Sequence, residues 1–215
     1  MNVTTQSCAT PFGAIELRMI EAGAQRAALL HDETNPHAAI YAAKTLGLSR
    51  VIELVSAVAL DRLLQTGALV VPHDLVDLTV GRGSTFFVGK GYGFLGQQHV
   101  FCPELRRAAQ QALEPRPLRS FARGTLAVVD DIQAAIDPRW NAQLMARQGA
   151  PAAYLDKELE LCYLPLGLLG HHGDLTPLIG ELLAKLPLDR SCPCATAMQA
   201  TRERGLIGDD WRSWL

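Results

Sequence analysis

The chain has 215 residues, of which 48% are hydrophobic, with a formal net charge of −2 at pH 7 and five cysteines. That length can bury one core without disulfides or metal, so a single domain over residues 1–215 is expected. The absence of any Lys/Arg block excludes the basic footprint that nucleic acid or an anionic membrane requires; an odd cysteine count suits reduced thiols and, with no apolar run of spanning length, implies a soluble cytoplasmic protein.

In chain order, residues 15–21 and 25–31 read as two strands joined by Ala22-Gly23-Ala24, a hairpin-like entry. Asn35 and Pro36 start a helix, since Asn caps well and Pro suits the first helical position; Ala39, Ile40, Ala43 and Leu46 give it an apolar stripe that stops at Gly47. Residues 50–59 return as a buried strand. Residues 68–71 are a short apolar run closed by Pro72, which cannot donate to a ladder. Asp74, Asp77, Thr79, Arg82, Ser84 and Thr85 follow as a polar loop loosened by Gly81 and Gly83 and anchored by Phe86-Phe87. A loop just past a strand end is where open α/β sheets hold ligands. After Cys102-Pro103, Leu105, Ala108, Ala109 and Leu113 recur at helical spacing. Residues 124–129 read as a strand, 138–148 as a helix, 152–155 and 161–169 as strands, and 175–186 and 194–204 as closing helices. The alternation predicts an α/β fold whose mixed or mostly parallel sheet is covered on both faces.

Read with its flanks, the stretch VIELVSAVALDRLLQTGALVVPHDLVDLTVGRGSTFF resembles the central segment of the 5′-methylthioadenosine phosphorylases, a branch of the purine nucleoside phosphorylases. The likeness continues in FCPELRRAAQQAL, in Gly124-Thr125 and in Gly149-Ala150, in one register from about Thr10 to His172. The resemblance implies a single nucleoside-phosphorylase-like domain with a mixed β-sheet flanked by helices. It also implies a closed homo-oligomer, a trimer, in which Thr85-Phe86-Phe87 and Phe101-Cys102-Pro103 lie towards subunit contacts.

The same register places several family motifs on residues of different chemistry. A phosphorylase holds phosphate with anion donors, stabilises a cationic ribosyl centre and supplies a group for the leaving base. The family's Gly-rich phosphate loop has no counterpart before Thr10-Pro11-Phe12-Gly13, and its Arg-His contact reduces to His31 beside Asp32 and Glu33. Its Gly-Ser-Leu becomes Val58-Ala59-Leu60, and its Thr-Glu-Gly-Pro-Arg-Phe becomes residues 129–134. Leu155 falls on the ribose-packing Met. Glu160 falls on the ribose-binding Glu under one placement of the gap, while another placement deletes that motif. His171 falls on the acid that serves the purine. The ligand-binding candidates are therefore Asp77, Thr79, Arg82, Leu155, Glu160 and His171, with Glu160 and His171 as candidate acids or bases.

Bland alternatives stand beside each. Asp77, Thr79 and Arg82 also fit a loop that satisfies its own hydrogen bonds, and Asp130-Asp131 fit a solvated turn better than paired acids. His171-His172 with Cys192 and Cys194 could supply soft metal ligands, or cap a helix and pack; no metal and no cofactor is assigned. Three functions follow: a non-phosphorolytic protein or noncatalytic subunit that binds a nucleoside-like small molecule, a hydrolase of a nucleoside-like N-glycosidic bond, or a divergent phosphorylase.

Overall fold

The computed structural model describes residues 1–31, 35–90 and 95–215. The loop proposed at Asp32-Glu33-Thr34 lies outside them. Strands β1 (Asn2–Thr10), β2 (Gly13–Ala22) and β3 (Gln25–His31) form an antiparallel meander that leads into helix α1 (Pro36–Thr45). Strand β4 (Arg50–Ala59) runs parallel to β3 on one edge and to β10 (Cys162–Leu169) on the other. All eight residues of β10 are buried, as are the first six of β4, which accounts for their nearly unbroken apolar sequence.

Beyond β10 lie β5 (Leu69–Val70) and β7 (Ser120–Phe121). The far end of β4 pairs instead with β9 (Leu144–Ala146), which continues through β8 (Thr125–Val128) to β6 (Asp74–Asp77). One strand thus carries the main sheet at its start and a second wing at its end. The space between wing and sheet is packed by Val55, Val70, Leu126, Leu144 and Leu169. Helices α1 and α3 (Ala152–Glu158) touch each other, as do α2 (Pro103–Leu113) and α4 (Thr176–Ala184); α5 (Gln199–Glu203) belongs to the C-terminal segment. No helix among the described residues is long and apolar enough to cross a membrane.

The α/β class and the mixed sheet agree with the sequence expectation, but three local readings need correction. Residues 138–148 are not a helix: one 3-10 turn, Pro138–Trp140, ends at Asn141 in the left-handed region, and Leu144–Ala146 enter the sheet between β4 and β8. Residues 152–155 are helical because Ala152, Leu155 and Leu159 face one way at helical spacing and all are buried. Asp74–Asp77, read as part of a loop, is a strand, and so is Asn2–Thr10, to which the sequence pattern assigns no element. Their pattern is too polar for period-two reading, since β1 is exposed on nearly its whole length.

Close approach of the wing to the sheet depends on small residues. A Cβ on Gly167 would come within 2.4 Å of Leu144 Cδ1, and Leu144 is fully buried with little room to yield. Gly167→Ala should therefore overpack this contact and cost about 1–3 kcal/mol of stability, measured by chemical denaturation; a change below about 0.5 kcal/mol would show that the wing shifts freely.

Candidate functional site

A cleft of about 580 Å³ opens where the N-terminus of α1, the Arg82-Gly83 turn and the segment from Arg147 to Ala152 meet over β4. Its polar side chains are Asn35, His37, Glu53, Arg82, Arg147 and Gln148. Asn35 caps α1 by accepting from Ala38 N at 3.0 Å, and its amide donates to Phe12 O at 2.6 Å, which ties the helix start to the β1–β2 turn. His37 sits in the first turn of that helix. Its ring packs against Phe12 and Phe86, with centroids 5.5 and 5.2 Å away, and its Nε2 lies 3.4 Å from Thr85 O. Burial holds the imidazole below its ordinary pKa, partly offset by the Thr85 carbonyl.

Glu53 rises from the middle of β4 and is buried, accepting a short hydrogen bond from the Tyr163 hydroxyl of β10. Burial first, and then the Glu53 carboxylate, push the tyrosine pKa well up, so the pair is a phenol donating to an acid. Arg82 is held from several sides. Its Nε donates to Asp130 Oδ1 at 2.7 Å, its Nη1 to Arg147 O at 2.6 Å and Ala150 O at 3.2 Å, and its Nη2 to Val129 O at 3.1 Å. Asp130, exposed, is kept below the ordinary carboxylate range by the Val80 N–H and by Arg82.

The loop after Arg82 is anchored by Glu158 at the end of α3. Its carboxylate accepts from Thr85 Oγ1 at 2.5 Å and Phe86 N at 2.6 Å. Burial outweighs these two donors and raises the Glu158 pKa to about 7. The Thr85-Phe86 segment, whose Phe86 ring packs against His37, is therefore tied down by one titratable group.

Of the six ligand-binding candidates, only Arg82 lines this cleft. Asp77 and Thr79 form an exposed turn in which Asp77 Oδ1 accepts from Thr79 N at 3.0 Å and Thr79 Oγ1 at 2.7 Å. Leu155 is fully buried in the main core. Glu160 accepts from Met198 N at 3.0 Å and forms an ion pair with Arg202 at 2.7 Å, a junction with the C-terminal segment. His171 is exposed beyond the end of β10 and His172 is half-buried. Neither joins the cysteines: the side chains that converge with Cys192 and Cys194 are Cys102 and Cys162. Sequence reasoning passed over Glu53 and His37. The available sign for Glu53 was the one acid inside a mostly apolar strand that also carries Arg50; His37 looked like one more residue of a helix turn.

A mixed sheet with a polar cleft above its central strand, walled by a helix N-terminus and two loops, defines an α/β protein with an open polar cavity over its sheet. The sequence profile of the Phosphorylase superfamily matches residues 7–153, and the chain belongs to that superfamily. A probable 6-oxopurine nucleoside phosphorylase of Korarchaeum cryptofilum is 23% identical over 240 aligned residues, covering 88% of this chain and 89% of that protein. The S-methyl-5′-thioadenosine phosphorylase of Thermofilum pendens is 22% identical over 193, covering 77% and 74%. In fold, the chain is similar to a methylthioadenosine phosphorylase from an Antarctic soil metagenomic library, with TM-score 0.78, 19% identity and coverage of 100% and 91%. The Schistosoma mansoni methylthioadenosine phosphorylase in complex with tubercidin gives TM-score 0.76 at 16% identity, covering 95% and 90%.

Two outcomes are expected. Glu160→Ala should lower stability by about 1–3 kcal/mol by stranding the Met198 N–H and Arg202, and should leave small-molecule affinity unchanged by calorimetry; lost affinity at intact stability would return Glu160 to the site. Glu158 has a folded-state pKa above its unfolded value, so the native state keeps that proton longer. Its contribution is complete below about pH 4.5 and lost as pH rises through about 7, a fall on the order of 3 kcal/mol. Denaturation curves across this window should flatten in Glu158→Gln; an unchanged slope would assign it to other groups.

Proposed function

We propose that this chain binds a neutral, nucleoside-like small molecule in the cleft over β4 and does not carry out phosphorolysis. The observation that carries this reading is the condition of Arg82. Of the two arginines on the cleft wall, Arg82 already faces the Asp130 carboxylate and three backbone carbonyls, Arg147 is an exposed side chain at the rim, and the Glu53 carboxylate lines the same space. A phosphate entering there would have to compete with Asp130 for the guanidinium while facing a second acid. Glu53, His37 and Asn35 suit hydroxyls and ring nitrogens better, as acceptors or neutral donors. The curated relatives named as nucleoside phosphorylases support a nucleoside-like ligand over other small molecules.

Hydrolysis of an N-glycosidic bond is the second reading, supported by two titratable groups, Glu53 and His37, on one cleft wall. It replaces Glu160 and His171 with residues that do line a cavity. A homotrimer in the cytoplasm completes the proposal. The segments first cited for the trimer are poor support, because Phe86, Phe87, Phe101 and Cys102 are buried within the chain itself. Better support comes from Val80, Val88 and Leu63, which are 86%, 79% and 69% exposed.

Thermal-shift and calorimetric titration with adenosine, inosine and methylthioadenosine should detect binding, and none of the three should be cleaved faster in phosphate than in a neutral buffer. Glu53→Gln should weaken binding by about tenfold or more, equivalent to about 1.4 kcal/mol. Affinity should change as His37 protonates below about 6.5, and His37→Ala should remove that part of the dependence; a part centred near pH 7, where Glu158 titrates, should persist in His37→Ala and vanish in Glu158→Gln. Phosphate-dependent release of free base, abolished by Arg82→Ala, would overturn the proposal. Phosphate-independent release abolished by Glu53→Gln would favour the hydrolase.

A further inference from the structure

Four of the five cysteines meet at one buried point. Cys102 stands at the N-cap of α2, Cys162 opens β10, and Cys192 and Cys194 flank Pro193 at the start of a 3-10 turn. Their Sγ atoms all lie within 4.8 Å of one another, with Cys162 and Cys192 at 3.3 Å. We propose that these residues form a tetrathiolate site for one soft divalent metal ion, with zinc the expected occupant.

The alternative is that four thiols simply pack as small apolar groups, which buried cysteines commonly do. The geometry favours the ion. Tetrahedral zinc with Zn–S near 2.3 Å places its sulfurs about 3.8 Å apart. A regular tetrahedron with edges at the observed limit of 4.8 Å puts each sulfur roughly 3 Å from the centre, so shifts of under about 1 Å complete the coordination, inward for the wider pairs and apart by about 0.5 Å for Cys162 and Cys192. The same dimensions leave no room for inorganic sulfide between metals, which argues against an iron–sulfur cluster.

The surroundings fit a site that becomes anionic when the four thiol protons leave as the ion enters. Arg190 Nη1 lies 3.8 Å from Cys162 Sγ while donating to Glu160 O at 2.7 Å. Lys157 shares the wall of a cavity of about 300 Å³ with Cys194, which gives an entry path. The Cys192 loop is also preset. Glu104 of α2 accepts from Ser191 N at 2.8 Å and Ser191 Oγ at 2.7 Å, which fixes this loop against the helix that bears Cys102. Among the described residues no other group of three or more His, Cys, Asp or Glu side chains converges as a possible metal site.

The test is metal analysis of untagged protein purified under reducing conditions without chelator. About one equivalent of zinc per chain is expected, released by an organomercurial, and cobalt substitution should give a sulfur-to-cobalt charge-transfer band with intense tetrahedral d–d bands. Cys102→Ser and Cys192→Ser should lose the ion, whereas Cys8→Ser, outside the cluster, should keep it. Removal of the ion should lower Tm, since its binding free energy adds to folding. Because a cysteine variant can misfold, the wild-type metal content and cobalt spectrum decide independently. Metal-free protein with five titratable thiols after denaturation would overturn the proposal, and so would metal-free protein with a single thiol, which would mean two disulfides.

Discussion

Glu53 is a carboxylate inside a strand that has neighbours on both edges. An acid so placed without a partner would oppose folding by several kcal/mol. The Tyr163 hydroxyl supplies a donor from the adjacent strand, and the parallel register of β4 and β10 brings it within reach. That register also sets the depth of the cleft, because Glu53 lines it. Core and site therefore share one constraint: what keeps the central sheet dry at this point also leaves an oxygen acceptor at the floor of a cavity.

Arg82 plays the corresponding part at the rim. It joins the β8 end, through Val129 O and Asp130, to the backbone at Arg147 and Ala150. A guanidinium with bonds in so many directions is a fixed piece of wall. Its positive charge is largely answered from within the chain, which leaves Arg147, among the described residues, as the exposed cation of the same cleft wall.

Much of the main sheet was legible because burial on both faces forces an apolar sequence, as in residues 162–169 and, around the charged Arg50 and Glu53, in residues 51–55, and because Asn35-Pro36 and Cys102-Pro103 mark helix starts by local chemistry. The wing was not. Leu144–Ala146 is three residues long and owes its strand state to partners on either side. Residues 152–155 read as a strand because four residues are too few to show a period; the helix is set by Leu155 and Leu159 packing on one face. In the site, Arg82 stood out by its motif, whereas Glu53 and His37 were concealed in regular elements. The meeting of Cys102 and Cys162 with Cys192 and Cys194 joins segments far apart in sequence, and spacing carries no trace of it.

The C-terminal segment from Arg190 onward has no strand and only short helical turns. It is held by separate hooks: Arg190 and Arg202 at Glu160, Ser191 at Glu104, and the buried Trp214 stacked near Arg202. Such a strap has little cohesion of its own. Apart from Cys192, Cys194, Met198, Ile207 and Trp214, which enter the main core, its order comes from these anchors, so its amides are expected to open together when the strap detaches. The segment thus forms a cooperative unit defined by its attachments, and the turn around Glu160, whose backbone sits at a left-handed φ of 55°, is where that unit joins the slow-exchanging core.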